Sequence, residues 1–112
     1  MKYGLRTSDI EEINAIFEKY PQVEQTILYG SRAKGNFREG SDIDLALTGD
    51  NLDYNILLKI ETELDDLLLP YKIDLSIKQK IENSDLLKHI ERVGKVFYKK
   101  NGRKYNVRFD TS

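Results

Sequence analysis

The sequence predicts an α+β fold in two layers: a mixed β-sheet of about three to four strands with helices packed on one face. Three observations lead there. The segments Ile43-Asp44-Leu45-Ala46-Leu47 and Ile73-Asp74-Leu75-Ser76-Ile77 alternate apolar and polar residues, as half-buried strands do. Three longer segments repeat apolar residues at helical spacing. The elements follow one another in the order α-β-β-α-β-α with short connections and no low-complexity stretch, so residues 1–112 read as one domain.

Each element has its own signals. Ser8 and Glu11 form a capping-box pair, and Ile10, Ile13, Ile16, Phe17 and Tyr20 follow as a helical stripe that Pro21 stops. Val23 to Tyr29 reads as a strand, leading into the glycine-bounded segment Gly30-Ser31-Arg32-Ala33-Lys34-Gly35. Residues 36–41 are aperiodic and read as a loop. On the strand 42–47, Ile43, Leu45 and Leu47 share one face, and Asp42, Asp44 and Ala46 share the other. Tyr54 to Leu69 is expected to be a helix with Ile56, Ile60, Leu64, Leu67 and Leu68 inward and Pro70 as its stop. The third strand spans 72–77. Ser84 is expected to cap a last helix running to about Tyr98, with Leu86, Leu87, Ile90, Val93 and Phe97 inward. Residues 104–109 alternate as a short edge strand or a tail.

Composition narrows the function classes. Charged residues make up 33% of the chain, yet 18 basic against 19 acidic leave a net charge of −1. That balance argues against a nucleic-acid binder relying on bulk charge. The 39% hydrophobic content argues against disorder. Without cysteine there is no disulfide framework, thiolate metal site or cysteine nucleophile. No apolar run approaches the roughly 20 residues of a bilayer span, and the first residues lack a signal-peptide core. The expectation is a soluble, cytoplasmic protein.

Chemistry concentrates on the polar strand faces. Residues two apart on a strand lie about 6.6 Å apart with side chains on the same side, so Asp42 and Asp44 project together. Asp74 sits on the equivalent face of another strand, and all three carboxylates meet if the two strands are neighbours. Such a cluster suits a hard cation such as Mg²⁺, which takes oxygen ligands at about 2.1 Å. Two such cations about 3.5–4 Å apart can serve an in-line displacement at phosphorus. An isolated Asp-x-Asp is more often a solvated strand face. Here Gly30-Ser31, at the end of a strand, adds a place where backbone can approach a phosphate.

Gly30-Ser31, ten residues, then Asp42-x-Asp44 resembles the signature of the DNA polymerase β-type nucleotidyltransferases. The fuller run from Gly30 to Gly35 and from Ser41 to Leu45 is similar to their minimal branch, which includes antitoxin-type members. The resemblance is strong over residues 27–47 and reaches about residue 77 through Asp74. It implies a polymerase β-like nucleotidyltransferase fold. It implies that Gly30 and Ser31 hold the triphosphate of ATP or another NTP, with Arg32 and Ser41 as further nucleotide-binding candidates. Asp42, Asp44 and Asp74 would be the catalytic and metal-binding carboxylates for two Mg²⁺ ions, with Mn²⁺ an alternative. Asp74 would activate the acceptor hydroxyl.

By the same resemblance, NMP, most simply AMP, would pass to a hydroxyl of a partner protein. That partner would be a HEPN-domain toxin and this chain its antitoxin. Fewer than forty residues follow Asp74, so a partner or a second copy is expected to supply the acceptor side. Two alternatives stand beside this: a binding module that neutralises its partner without chemistry, and a nucleotidyltransferase acting on a small molecule such as an aminoglycoside. Arg32 and Lys34 are either phosphate contacts or solvated loop cations. His89 is expected at the boundary of the last helix rather than as a ligand. The basic segment 95–108 reads either as an RNA or acidic-partner contact or as cations suiting a helix end.

Overall fold

The computed structural model describes residues 1–100. Helix α1 (Thr7–Glu18) leads to strand β1 (Gln25–Tyr29), the single helical turn α2 (Ser31–Lys34) and strand β2 (Ile43–Thr48). Helix α3 (Tyr54–Asp65), strand β3 (Ile73–Ile77), a 3₁₀ turn (Lys78–Lys80), helix α4 (Ser84–Val93) and strand β4 (Lys95–Lys99) complete it. The strands form one mixed sheet in the order β3-β2-β1-β4. β1 is antiparallel to both neighbours, and β2 and β3 are parallel, joined by the α3 crossover. This is the α+β class with four strands.

The main core lies on one side of the sheet. Leu28, Leu45, Leu47, Leu75 and Ile77 turn toward Ile13, Ile16 and Phe17 of α1 and Leu57, Ile60 and Leu64 of α3. Glu63 accepts from both Lys19 and Tyr20, tying the end of α1 to α3. The other side carries a smaller cluster in which Tyr29 and Ala46 pack with Ile90 of α4, flanked by Ile27, Leu86 and Val93. Helices therefore cover both faces, not one. The second face is reached because α4 follows β3 and crosses back over β1.

Several boundaries differ from the expected ones, each for a physical reason. α1 starts at Thr7 with Arg6 as N-cap and no side-chain cap, so the Ser8–Glu11 box does not form. α3 stops at Asp65, well before Pro70. Leu68 then adopts φ 55° and is 88% exposed, so it is a turn residue and not part of the inward stripe. Asn83, not Ser84, caps α4, its side chain accepting from the Leu86 N–H. α4 ends at Val93, where Gly94 packs so tightly that a Cβ there would lie 2.4 Å from the Ile90 carbonyl oxygen and 2.7 Å from Ile27. Residues 95–99 are consequently a strand, and Phe97 reaches the core from β4. Lys95 and Lys99 are exposed strand residues, so the helix-end account of the basic segment falls. The expected strand at 104–109 lies outside the described residues. Among those described, no helix is long and apolar enough to cross a membrane.

Candidate active site

The pairing of β2 with β3 sets the candidate site. Asp44 is opposite Asp74 in the parallel register, and Tyr29 of β1 is opposite Asp44 in the antiparallel one. Tyr29, Asp44 and Asp74 thus form a row across three strands spaced about 4.8 Å apart, on the face away from the main core. Asp42, just before β2, shares that face by alternation and is exposed, as is Asp74; Asp44 is half-buried. Ile43 N–H donates to the Lys72 carbonyl at 2.8 Å, which fixes the start of β2 against the start of β3.

Electrostatics in the row are strained by like charge. Burial, then the neighbouring carboxylates of Asp74 and Asp42, raise the pKa of Asp44 above its ordinary value, while Lys72 opposes the shift. Burial likewise raises the pKa of Tyr29. Among the described residues, no three His, Cys, Asp or Glu side chains stand gathered tightly enough to hold a metal ion as they are placed. The backbone register nevertheless puts the oxygen donors of Asp44 and Asp74 side by side.

Gly30 closes the row at the end of β1. Its φ of 76° favours glycine, and a Cβ there would lie 2.4 Å from Asp44 Oδ2. The chain can turn here only because the residue has no side chain, and the turn brings backbone directly against the carboxylate. A helical turn begins at Ser31, and Ser31 is half-buried.

Arg32 and Ser41 have other work. Arg32 is 2% exposed. Its Nε and Nη2 donate to the Ser41 carbonyl at 3.0 and 2.8 Å, and Nη1 donates to the Tyr3 carbonyl at 2.9 Å. The guanidinium lies 5.2 Å from the Phe37 ring centre and 4.9 Å from that of Tyr71. A cation so enclosed clamps the loop preceding Asp42. The Ser41 hydroxyl accepts from the Arg38 N–H at 2.8 Å, so this side chain also shapes the loop. Lys34 is exposed.

One residue of the site was not expected. His89 of α4 accepts the Gly30 N–H through Nε2 at 3.0 Å, and its ring meets Tyr29 edge-on at 6.1 Å between centres. Its position three residues after Leu86 and four before Val93, on the stripe that faces the sheet, is the signal that could have found it.

Comparison with known proteins addresses the family and the fold. The chain is 30% identical over 101 residues to the protein adenylyltransferase MntA of Aphanizomenon flos-aquae, covering 81% of this chain and 67% of that one. It is 38% identical over 64 residues to a candidate protein adenylyltransferase of Methanocaldococcus jannaschii, covering 56% of this chain and 60% of the relative. The chain thus spans about two-thirds or less of the length of these relatives. A chain from the complex of a tri-AMPylated Shewanella oneidensis HEPN toxin with MNT antitoxin has the same fold. Its TM-score is 0.63 at 17% identity, over 90% of this chain and 78% of that one. The family model for polymerase beta nucleotidyltransferases matches residues 11–103, taking in the glycine turn, all three aspartates and His89. With that model matching most of its length, the chain belongs to the polymerase beta nucleotidyltransferase family.

Proposed function

We propose that this chain transfers AMP from ATP to a hydroxyl of a HEPN-type toxin and so serves as its antitoxin. The observation that carries the reading is the register of Asp44 with Asp74, with Gly30 packed against the Asp44 carboxylate. Family membership and the names of the relatives support it. The reading treats the 112 residues as one nucleotidyltransferase domain in the cytoplasm, where ATP and magnesium are available.

In this reading Gly30 and Ser31 hold the triphosphate through backbone and hydroxyl donors. In donor chemistry, though not in side-chain placement as it stands, the set suits a hard divalent cation: three carboxylates, two of them exposed, with Asp44 held above its usual pKa partly by its neighbours' charge. Asp42, Asp44 and Asp74 would hold Mg²⁺, or Mn²⁺, which when bound neutralises charge on the phosphates and favours the deprotonated acceptor hydroxyl. Asp74, at the exposed end of the row, takes the hydroxyl proton. The hydroxyl oxygen bonds to the α-phosphorus, the bond to the β-phosphate oxygen breaks, and pyrophosphate leaves.

The test incubates the chain with a HEPN-type partner and Mg-ATP and reads intact masses. The partner is expected to gain AMP, and an Asp42→Asn/Asp44→Asn protein is expected to transfer it at least about a thousandfold more slowly, some 4 kcal/mol in barrier. A partner that binds but never gains mass would overturn the reading in favour of neutralisation by binding alone.

A further inference from the structure

We propose that His89 is a positioning residue for the nucleotide: by accepting the Gly30 N–H, it fixes the turn on which the phosphates would rest. This rests on the nucleotide reading of the site.

The backbone leaves Gly30 in need of such a partner. Pairing of β1 with β4 ends at Leu28–Lys95, and pairing with β2 ends at Tyr29–Asp44. The Gly30 N–H therefore lies beyond both ladders, at a half-buried position where an unmet donor is costly. His89 meets it from 59 residues away in sequence.

The support behind His89 is rigid. Leu86, Ile90 and Val93 seat α4 on Ile27, Tyr29 and Ala46, and the tight approach of Gly94 to Ile27 pins the end of the helix to the sheet. The T-shaped contact with Tyr29 holds the ring on a second side. Gly30 is then restrained at two points, by His89 at its N–H and by the Asp44 carboxylate where a Cβ would stand. A glycine is the residue most in need of that restraint, since its own backbone preferences specify least.

The test uses the full chain with His89→Leu and His89→Gln. Leucine keeps bulk but offers no acceptor, whereas the glutamine carbonyl can take the place of Nε2. In wild-type protein labelled with ¹⁵N, a coupling across the hydrogen bond between Gly30 N and the His89 ring nitrogen is expected. Mg-ATP affinity is expected to fall about tenfold in H89L, as for loss of one buried hydrogen bond, and to stay within about threefold of wild type in H89Q. In AMP transfer the H89L loss is expected in KM for ATP, with kcat kept. Unchanged ATP affinity in a folded H89L, a folded H89Q that fails to rescue, or an absent coupling would each overturn the proposal. If H89L does not fold, the coupling and the H89Q affinity decide. Wild-type protein that binds no Mg-ATP sinks the nucleotide reading itself, and this inference with it.

Discussion

Leu45 and Asp44 are consecutive residues of β2 that turn to opposite sides of one sheet. Leu45 is fully buried among residues of α1 and α3. Asp44 is half-buried between Tyr29 and Asp74, its carboxylate pressed on Gly30 and its pKa raised. The first side is apolar and closed. The second is apolar only where α4 covers Ala46, Ile27 and part of Tyr29, and is charged beyond it. The difference shows where stability originates and where it is given up: the continuous core on one face lets the other hold like charges at close quarters.

Three changes probe that contrast, beginning with the largest. Leu45→Ala is expected to cost about 3 kcal/mol in denaturant unfolding, since it empties a fully buried site in a packed layer. A cost under about 1 kcal/mol would mean that the closed face is not the main source of stability. Gly30→Ala is expected to cost about 2 kcal/mol, from the left-handed φ and the collision with Asp44, and to weaken ATP binding as well. Retained stability and affinity would mean that the turn has room that its geometry denies.

Asp44→Asn should have the smallest effect and the opposite sign. A carboxyl whose pKa is raised on folding stabilises the fold relative to its ionised form at low pH, and that stability is lost as pH rises through the folded pKa. The asparagine protein lacks this loss. Near pH 7 without divalent cations it should be more stable than wild type by up to about 1 kcal/mol, allowing for solvent screening. The two should converge as pH falls below the ordinary aspartate value. Magnesium should raise the melting temperature of the wild type more than that of the variant. A less stable Asp44→Asn protein at pH 7 would show that the row is not strained by charge.

Much of the site could be read before the fold, and the reasons are local. Alternation in 43–47 and 73–77 fixed which residues share a face, and the Gly-Ser turn and aspartate pair lie close enough in sequence to be seen together. The parts that escaped depend on distant contacts. Val93 and Phe97 are spaced as on a helix, which hid the break at Gly94 and the strand after it. A bulge in the pairing of β4 with β1 lets Phe97 and Tyr98 both reach the core. Arg32 reads in sequence as a phosphate contact or a solvated loop cation, and its enclosure by Phe37, Tyr71 and two backbone carbonyls shows only in the fold. The role of His89 depends on a backbone donor 59 positions earlier. Its place on the stripe between Leu86 and Val93 points it at the sheet, but not at that donor in particular.

The place of β4 in the sheet has a consequence for how the chain is made. β1 lies between β2 and β4, so its outer edge stays unpaired until residues 95–99 have been synthesised. The contacts that close this side span long stretches: Asn14 to the Phe97 carbonyl across 83 residues, and Lys100 to the Pro21 carbonyl across 79. At ribosomal rates of about 5–20 residues per second, Gln25–Tyr29 waits several seconds with an open edge. An exposed edge is the usual template for unwanted strand pairing. Helix α4, which carries His89 to Gly30, directly precedes that segment, so protection of the nascent chain and completion of the glycine turn arrive together.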